Sequence, residues 1–243
     1  MTGTGSEPGP GRVIGAVVPD PKRPGTVRVL VHGRPFLTLA REVVEAERLA
    51  TGATLSDRVY ARLCAAADEE GAHRTALRFL ERRPFAERDL ARRLVMKGHP
   101  PEAVDAALAR LRRAGLVDDA RFALHYIETR AARGRGPLRL RRDLAALGVQ
   151  RGTADNALAE AFGPDGVEAP RADALARRRL MQLAGLPRSA QRRRVLAFLA
   201  RRGFAGEAVS RMVRELIAGT ASTVNSQRST VQTPSATRRA PGA

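Results

Sequence analysis

Between residues 71 and 218 the apolar positions follow a register that occurs three times. Glycines stand at Gly98, Gly148 and Gly203. Eight and four places before each lies an apolar pair: Leu90 and Leu94, Leu140 and Leu144, Val195 and Leu199. Six, ten and thirteen places after each lie Val104, Leu108 and Leu111; Ala154, Leu158 and Ala161; and Val209, Val213 and Leu216. The upstream pair marks one face of a helix, and the glycine suits a left-handed C′ cap that ends it. The downstream set marks a second amphipathic helix. A further helix precedes each pair, over residues 74–81, 120–132 and 171–183. Units of three short helices, spaced by fifty and then fifty-five residues, predict a tandem helical array with repeats at 71–120, 121–170 and 171–218.

Upstream the pattern changes period. Residues 12–18 and 26–32 are apolar or β-branched and partly alternating, with a Pro/Gly loop between them, and a break at Gly33-Arg34-Pro35 precedes residues 36–39. Short strands between such breaks predict an antiparallel hairpin or meander leaning on a neighbouring helix. Residues 41–50 and 56–67 read as short helices, the second with Ser56 as N-cap. Residues 1–11 and 219–243 lack periodicity and predict disordered tails. The expected fold is therefore mainly α: an elongated array of three-helix repeats after a small β element at 12–70.

Charge adds a partner class. The chain has 243 residues and a formal net charge of +18, with 43 basic groups against 25 acidic. Residues 1–70 are neutral, nine against nine, whereas residues 171–218 hold twelve basic groups against three acidic. The clusters of this last repeat are Arg177-Arg178-Arg179, Arg192-Arg193-Arg194 and Arg201-Arg202. Solvated helix faces usually interleave acids, so a face this poor in them is expected to meet a polyanion. A second basic run, Arg133, Arg135, Arg139, Arg141 and Arg142, surrounds Gly134, Gly136 and Pro137. Two readings of it stand side by side: a helix N-terminus whose free N–H groups meet a phosphate, or an ordinary loop with proline in the first helical turn. Aromatics are few, and Phe79, Phe122 and Phe198 fall at apolar helical positions. No stacking platform is visible, which predicts phosphate contacts with little base recognition.

Catalytic chemistry is absent from the pattern. The four histidines, His32, His73, His99 and His125, have no metal-ligand spacing, and no phosphate-binding glycine loop or nucleophile elbow occurs. The lone Cys64 excludes an internal disulfide and reads as a small buried hydrophobe on a helix. No catalytic, metal or cofactor residue is expected, and the protein reads as a non-enzyme. Asp118 and Asp119 stand at a repeat junction, where a carboxylate can accept from the first N–H groups of the next helix. No apolar run approaches the ~18 residues of a membrane span, and the first eleven residues lack the order of a signal peptide. A cytoplasmic monomer is expected.

These features together resemble the bacterial RecX family. The resemblance rests on the three-helix repeats, the junction Gly115-Leu116-Val117-Asp118-Asp119-Ala120-Arg121-Phe122-Ala123, the Arg135-Gly136 stretch, and the Leu-x-x-Leu-Gly-Val sequence from Leu144 to Val149. It covers residues 76–216. It implies a regulator that binds RecA–single-stranded DNA filaments and usually inhibits the recombinase, with consequences for DNA repair, recombination and the SOS response. It also implies a position in the filament groove, against successive RecA subunits and DNA, single-stranded or duplex, with low sequence specificity. The Arg-rich third repeat and the polar tail depart from a typical member and leave open whether that repeat meets DNA or acidic RecA surfaces. The competing reading from the residues is a helix-turn-helix transcription regulator, with residues 88–98 and 100–112 as its two helices. A recognition helix, however, normally occurs once per protomer, and this pattern recurs three times.

Overall fold

In residues 12–40, β-branched positions alternate so that Ile14, Val27, Val29 and Leu39 share one buried face. The computed structural model describes residues 12–163 and 169–229. Strands β1 (Arg12–Pro19), β2 (Thr26–Val31) and β3 (Arg34–Ala40) form an antiparallel meander. A two-residue β4 (Thr54–Leu55) pairs with Arg12 and Val13, giving the order β3-β2-β1-β4. The short helix α1 (Arg41–Ala46) joins β3 to the segment before β4. Val44, Leu55 and Leu63 close the core beneath the sheet.

Helix α2 (Asp57–Leu80) corrects the sequence reading, which expected separate helices at 56–67 and 74–81. The Ser56 hydroxyl caps it as expected, accepting from the Val59 N–H at 3.4 Å. Between the two segments there is no proline and no competing cap. A lone Gly71 costs about 1 kcal/mol relative to alanine, too little to stop a helix packed along its length. The N-terminal half of α2 carries the sheet, and its C-terminal half opens the first repeat.

That repeat continues with α3 (Glu87–Met96) and α4 (Pro101–Arg113). Leu90, Leu94, Val104, Leu108 and Leu111 are all buried, together with Ala76, Phe85 and Val117. The chain divides into two compact units, Met1–Phe122 and Ala123–Ala243, the division falling within α5 (Asp119–Ala131). In the second unit, α6 (Pro137–Leu147) and α7 (Arg151–Phe162) complete repeat two. Helices α8 (Ala169–Met181), α9 (Arg188–Arg202) and α10 (Glu207–Ser229) make repeat three.

The predicted register holds at the buried positions of all three repeats, with one drift. Ala161 is only half-buried, and its neighbour Phe162 fills the space instead. The three glycines adopt φ of 88°, 91° and 94°, the left-handed region that a side chain enters at a cost. Helix α10 continues past position 218, where a tail was expected to begin, and runs to Ser229; residues 230–243 and the other expected tail, 1–11, lie outside the described residues.

Candidate nucleic-acid interface

Because the three repeats share one register, equivalent positions can be compared directly. Nine places before the glycine stand Asp89, Arg139 and Arg194. The buried Asp89 gathers Arg83, Arg92 and Arg93 at 3.9, 3.6 and 3.1 Å, so in the first repeat these arginines share a carboxylate. In the second repeat Asp143 holds Arg135 at 2.5 Å and Arg139 at 3.2 Å. Arg141 meets Asp155 at 2.7 Å, and its hydrogen bond holds that carboxyl below the usual carboxylate range. Arg133 and Arg142 are exposed.

The third repeat differs. Arg177 is tied to Asp173 at 2.6 Å, which raises the guanidinium pKa further. Arg179 donates to the Gln182 side chain at 2.7 Å, and its guanidinium lies 5.7 Å from the centre of the Phe198 ring. Arg178, Arg192, Arg193, Arg194 and Arg201 are exposed and have no carboxylate partner among the described residues. On α9, Arg193, Arg194 and Arg201 share the side away from the buried Val195 and Leu199, with the small Ala197 and Ala200 between them. Arg194 and Arg201 are about 10 Å apart along the helix axis. This is a row of uncompensated cations on a rigid support.

In the basic run of repeat two, backbone N–H groups at the start of α6 already have protein partners. Pro137 occupies the first turn of α6, and the Gly136 N–H donates to the Arg202 carbonyl at 2.7 Å. The Leu138 N–H donates to the Gly203 carbonyl at 3.1 Å. The start of α6 is thus capped by the end of α9, and its N–H groups do not await a phosphate. A Cβ on Gly136 would stand 2.7 Å from the Gly203 carbonyl, which explains the glycine. Arg202 completes this contact, reaching the Arg133 and Gly134 carbonyls at 3.4 Å while its guanidinium lies 4.8 Å from the Phe198 ring centre. No local signal announces this contact, because the two segments lie far apart in sequence.

The acidic junction is also built from backbone donors. Asp118 accepts from the Ala120 and Arg121 N–H groups at 2.8 and 3.1 Å, capping α5. Asp119 accepts from the Glu87 N–H at 2.8 Å, the first residue of α3, whose own N-cap Ala86 offers no side chain. Gly115 has φ 67°, and Phe122 is buried. Among the described residues no group of three or more His, Cys, Asp or Glu is placed to hold a metal, and no helix is long and apolar enough to cross a membrane.

Two sequence readings change here. Cys64 is half-buried rather than buried, and lies beside the Tyr60 hydroxyl, whose pKa its hydrogen bond raises. Aromatic stacking at the surface, not expected from the sequence, is present: Phe36 and Tyr60 stack with ring centres 5.6 Å apart and planes at 24°. The pair was invisible in the sequence because β3 and α2 supply one ring each.

Comparison with known proteins matches family models described as "RecX, first three-helix domain", "RecX, second three-helix domain" and "RecX, third three-helix domain" over residues 72–111, 118–158 and 168–213. The regulatory protein RecX of Halorhodospira halophila is 37% identical over 152 residues, covering 60% of this chain and 88% of that protein. The regulatory protein RecX of Stenotrophomonas maltophilia is 39% identical over 140 residues, 57% of this chain and 83% of that one. A crystal structure of a regulatory protein RecX superposes with TM-score 0.70 at 25% identity, covering 84% of this chain and 98% of the other. RecX from Lactobacillus salivarius, with TM-score 0.57 at 17% identity over 61% of this chain and 96% of its own, shares the fold.

Proposed function

The chain belongs to the RecX family, and on that premise we propose that it binds the RecA–single-stranded DNA filament and lowers its ATPase and recombinase activity. It acts in the cytoplasm as a regulator of repair and recombination, by binding rather than by catalysis. The observation that carries the electrostatic part is the exposed row Arg193, Arg194 and Arg201 on α9, without carboxylate partners among the described residues. Such a row repels itself in the free protein, and a polyanion relieves that repulsion. Arg178 on α8 and Arg192 on α9 are further exposed arginines without a carboxylate partner among the described residues. Arg135, Arg139 and Arg141, each already held by an aspartate, contribute less. The contacts are with phosphate, so affinity varies little with DNA sequence.

The test is RecA's DNA-dependent ATPase and strand exchange on single-stranded DNA, with and without the protein. Falling activity as the protein is titrated supports the proposal. Unchanged ATPase and strand exchange at saturation would overturn it. The variant Arg193→Ser, Arg194→Ser, Arg201→Ser tests the basic row separately. Loss of naked-DNA affinity points these arginines at phosphate. Loss of filament inhibition with naked-DNA binding intact points them at acidic RecA surfaces.

A further inference from the structure

The segment around Phe36 is built to hold an aromatic ring in the open. Strand β3 has a bulge there: Leu37 faces Val29 and Pro35 faces Leu30, so Phe36 has no residue opposite it on β2. A bulge re-aims the side chain it carries, and Phe36 stacks on Tyr60 from the first turns of α2 while remaining 36% exposed. The Arg12 guanidinium lies 3.7 Å from the centre of the Tyr60 ring and is steered by Asp57 at 3.0 Å. Three elements, β1, β3 and α2, thus contribute one flat group each to a single stack. Arg34, two residues before Phe36 at the start of β3, is exposed and has no carboxylate partner among the described residues.

A buried-core role does not account for this arrangement. The sheet's core is complete without Phe36, from Ile14, Val29 and Leu39 to Leu63. An exposed aromatic face flanked by arginines has the chemistry of a platform for nucleobases, which stack on it whatever their sequence. Duplex bases present only their edges, so the fitting ligand is single-stranded. We propose that the Phe36–Tyr60–Arg12 stack is a base-stacking site for single-stranded nucleic acid, with Arg34, two residues before Phe36, available to an adjoining phosphate. The site lies in the near-neutral N-terminal module, outside the basic row of α9, and does not depend on RecA.

The chain contains no tryptophan, so the variant Phe36→Trp places a single reporter in the stack. Titrating full-length Phe36→Trp with a twenty-nucleotide oligo-dT should quench its fluorescence. An abasic oligomer of the same length should quench it far less. In parallel, 5-iododeoxyuridine oligo-dT should photo-crosslink to the wild type within residues 34–36 or at Tyr60. Phe36→Ala, checked for an unchanged circular dichroism spectrum and melt, should lose that crosslink. It should bind oligo-dT about tenfold more weakly, the scale of one lost base stack, with the same salt slope. Equal binding of base-containing and abasic oligomers by wild type and Phe36→Ala would overturn the proposal. So would a Phe36→Ala protein that keeps its oligo-dT affinity and loses only RecA inhibition, which would make this surface a protein contact.

Discussion

Gly136→Ala tests whether the second and third repeats are joined by backbone contact, as the α9-to-α6 geometry requires. Gly136 has φ −88°, an ordinary value, so alanine brings no conformational strain of its own. The cost is steric. The new Cβ would stand 2.7 Å from the Gly203 carbonyl and 2.8 Å from Phe204 Cγ, and backbone must move to admit it. That movement breaks the bonds from the Gly136 and Leu138 N–H groups to the Arg202 and Gly203 carbonyls, at 2.7 and 3.1 Å. Overpacking costs ~1–3 kcal/mol, and two hydrogen bonds add about 0.5–1.5 kcal/mol each. A total of about 2–6 kcal/mol lowers the melting temperature on the order of 10 °C. Gly98→Ala supplies the contrast. Its φ is +88° with nothing within 4 Å of an added Cβ, so it carries only the left-handed penalty of about 1–2 kcal/mol. Thermal melts rank the variants. Hydrogen exchange then locates the damage, because Gly136→Ala should deprotect the Leu138 amide and leave repeat one unchanged. A Gly136→Ala protein as stable as wild type, with the Leu138 amide still protected, would refute the docking contact.

Three further outcomes follow from named groups. Replacing Arg193, Arg194 and Arg201 by serine should lower the log–log salt slope of single-stranded DNA binding by about 2, at ~0.7 per phosphate contact. The same change at Arg135, Arg139 and Arg141 should lower it by less than half as much; equal effects would refute the division between paired and unpaired arginines. Asp118→Ala leaves two N–H groups of α5 uncapped and should cost about 0.5–2 kcal/mol, while Asp119→Ala should speed exchange of the Glu87 amide in α3. Loss of RecA regulation without loss of stability in either variant would make the pair a contact site. Finally, burial, with help from the Arg110 charge against the pull of Glu70 and Glu69, lowers the His73 pKa below 6.5. Burial, with Arg78 and Arg74 against Asp68, lowers that of His99. The folded state favours both neutral rings, so stability present above pH 6.5 should be lost as pH falls through the folded values. The double variant His73→Gln, His99→Gln should flatten that acid limb in denaturant titrations across pH, and an unchanged limb would refute the assignment.

The repeat was legible in the sequence because its signal is local. Leu90 and Leu94, with Gly98 after them, report a helix face and its end within nine residues, and the same report occurs three times. Long-range features were not legible. The fourth strand has two residues and exists only because Arg12 and Val13 offer it an edge. The continuity of α2 depends on packing along both halves, which outweighs Gly71. The arginine clusters were visible as charge, but which arginines are compensated is a matter of Asp143, Asp155 and Asp173 being in reach. The Phe36 stack needed a bulge in β3 to bring its ring to Tyr60, and a bulge leaves no periodic trace.

The compensation pattern bears on function more directly than the net charge does. Each repeat keeps the same buried positions, so the outer face of its middle helix can vary without loss of fold. In the first repeat the equivalent position is the buried Asp89, which gathers three arginines, and in the second it is the exposed Arg139, paired with Asp143. In the third it is Arg194, followed seven residues on by Arg201, with no acid among the described residues to hold either. Stability alone does not account for such a row. Replacing one arginine by glutamate at i+4 would yield a favourable pair worth a few tenths of a kcal/mol, and the first two repeats already use this device at Asp89 with Arg93 and at Arg139 with Asp143. A row without that device leaves its charge open to an anionic partner, and the serine variants at Arg193, Arg194 and Arg201 test whether that partner is nucleic acid or an acidic protein surface.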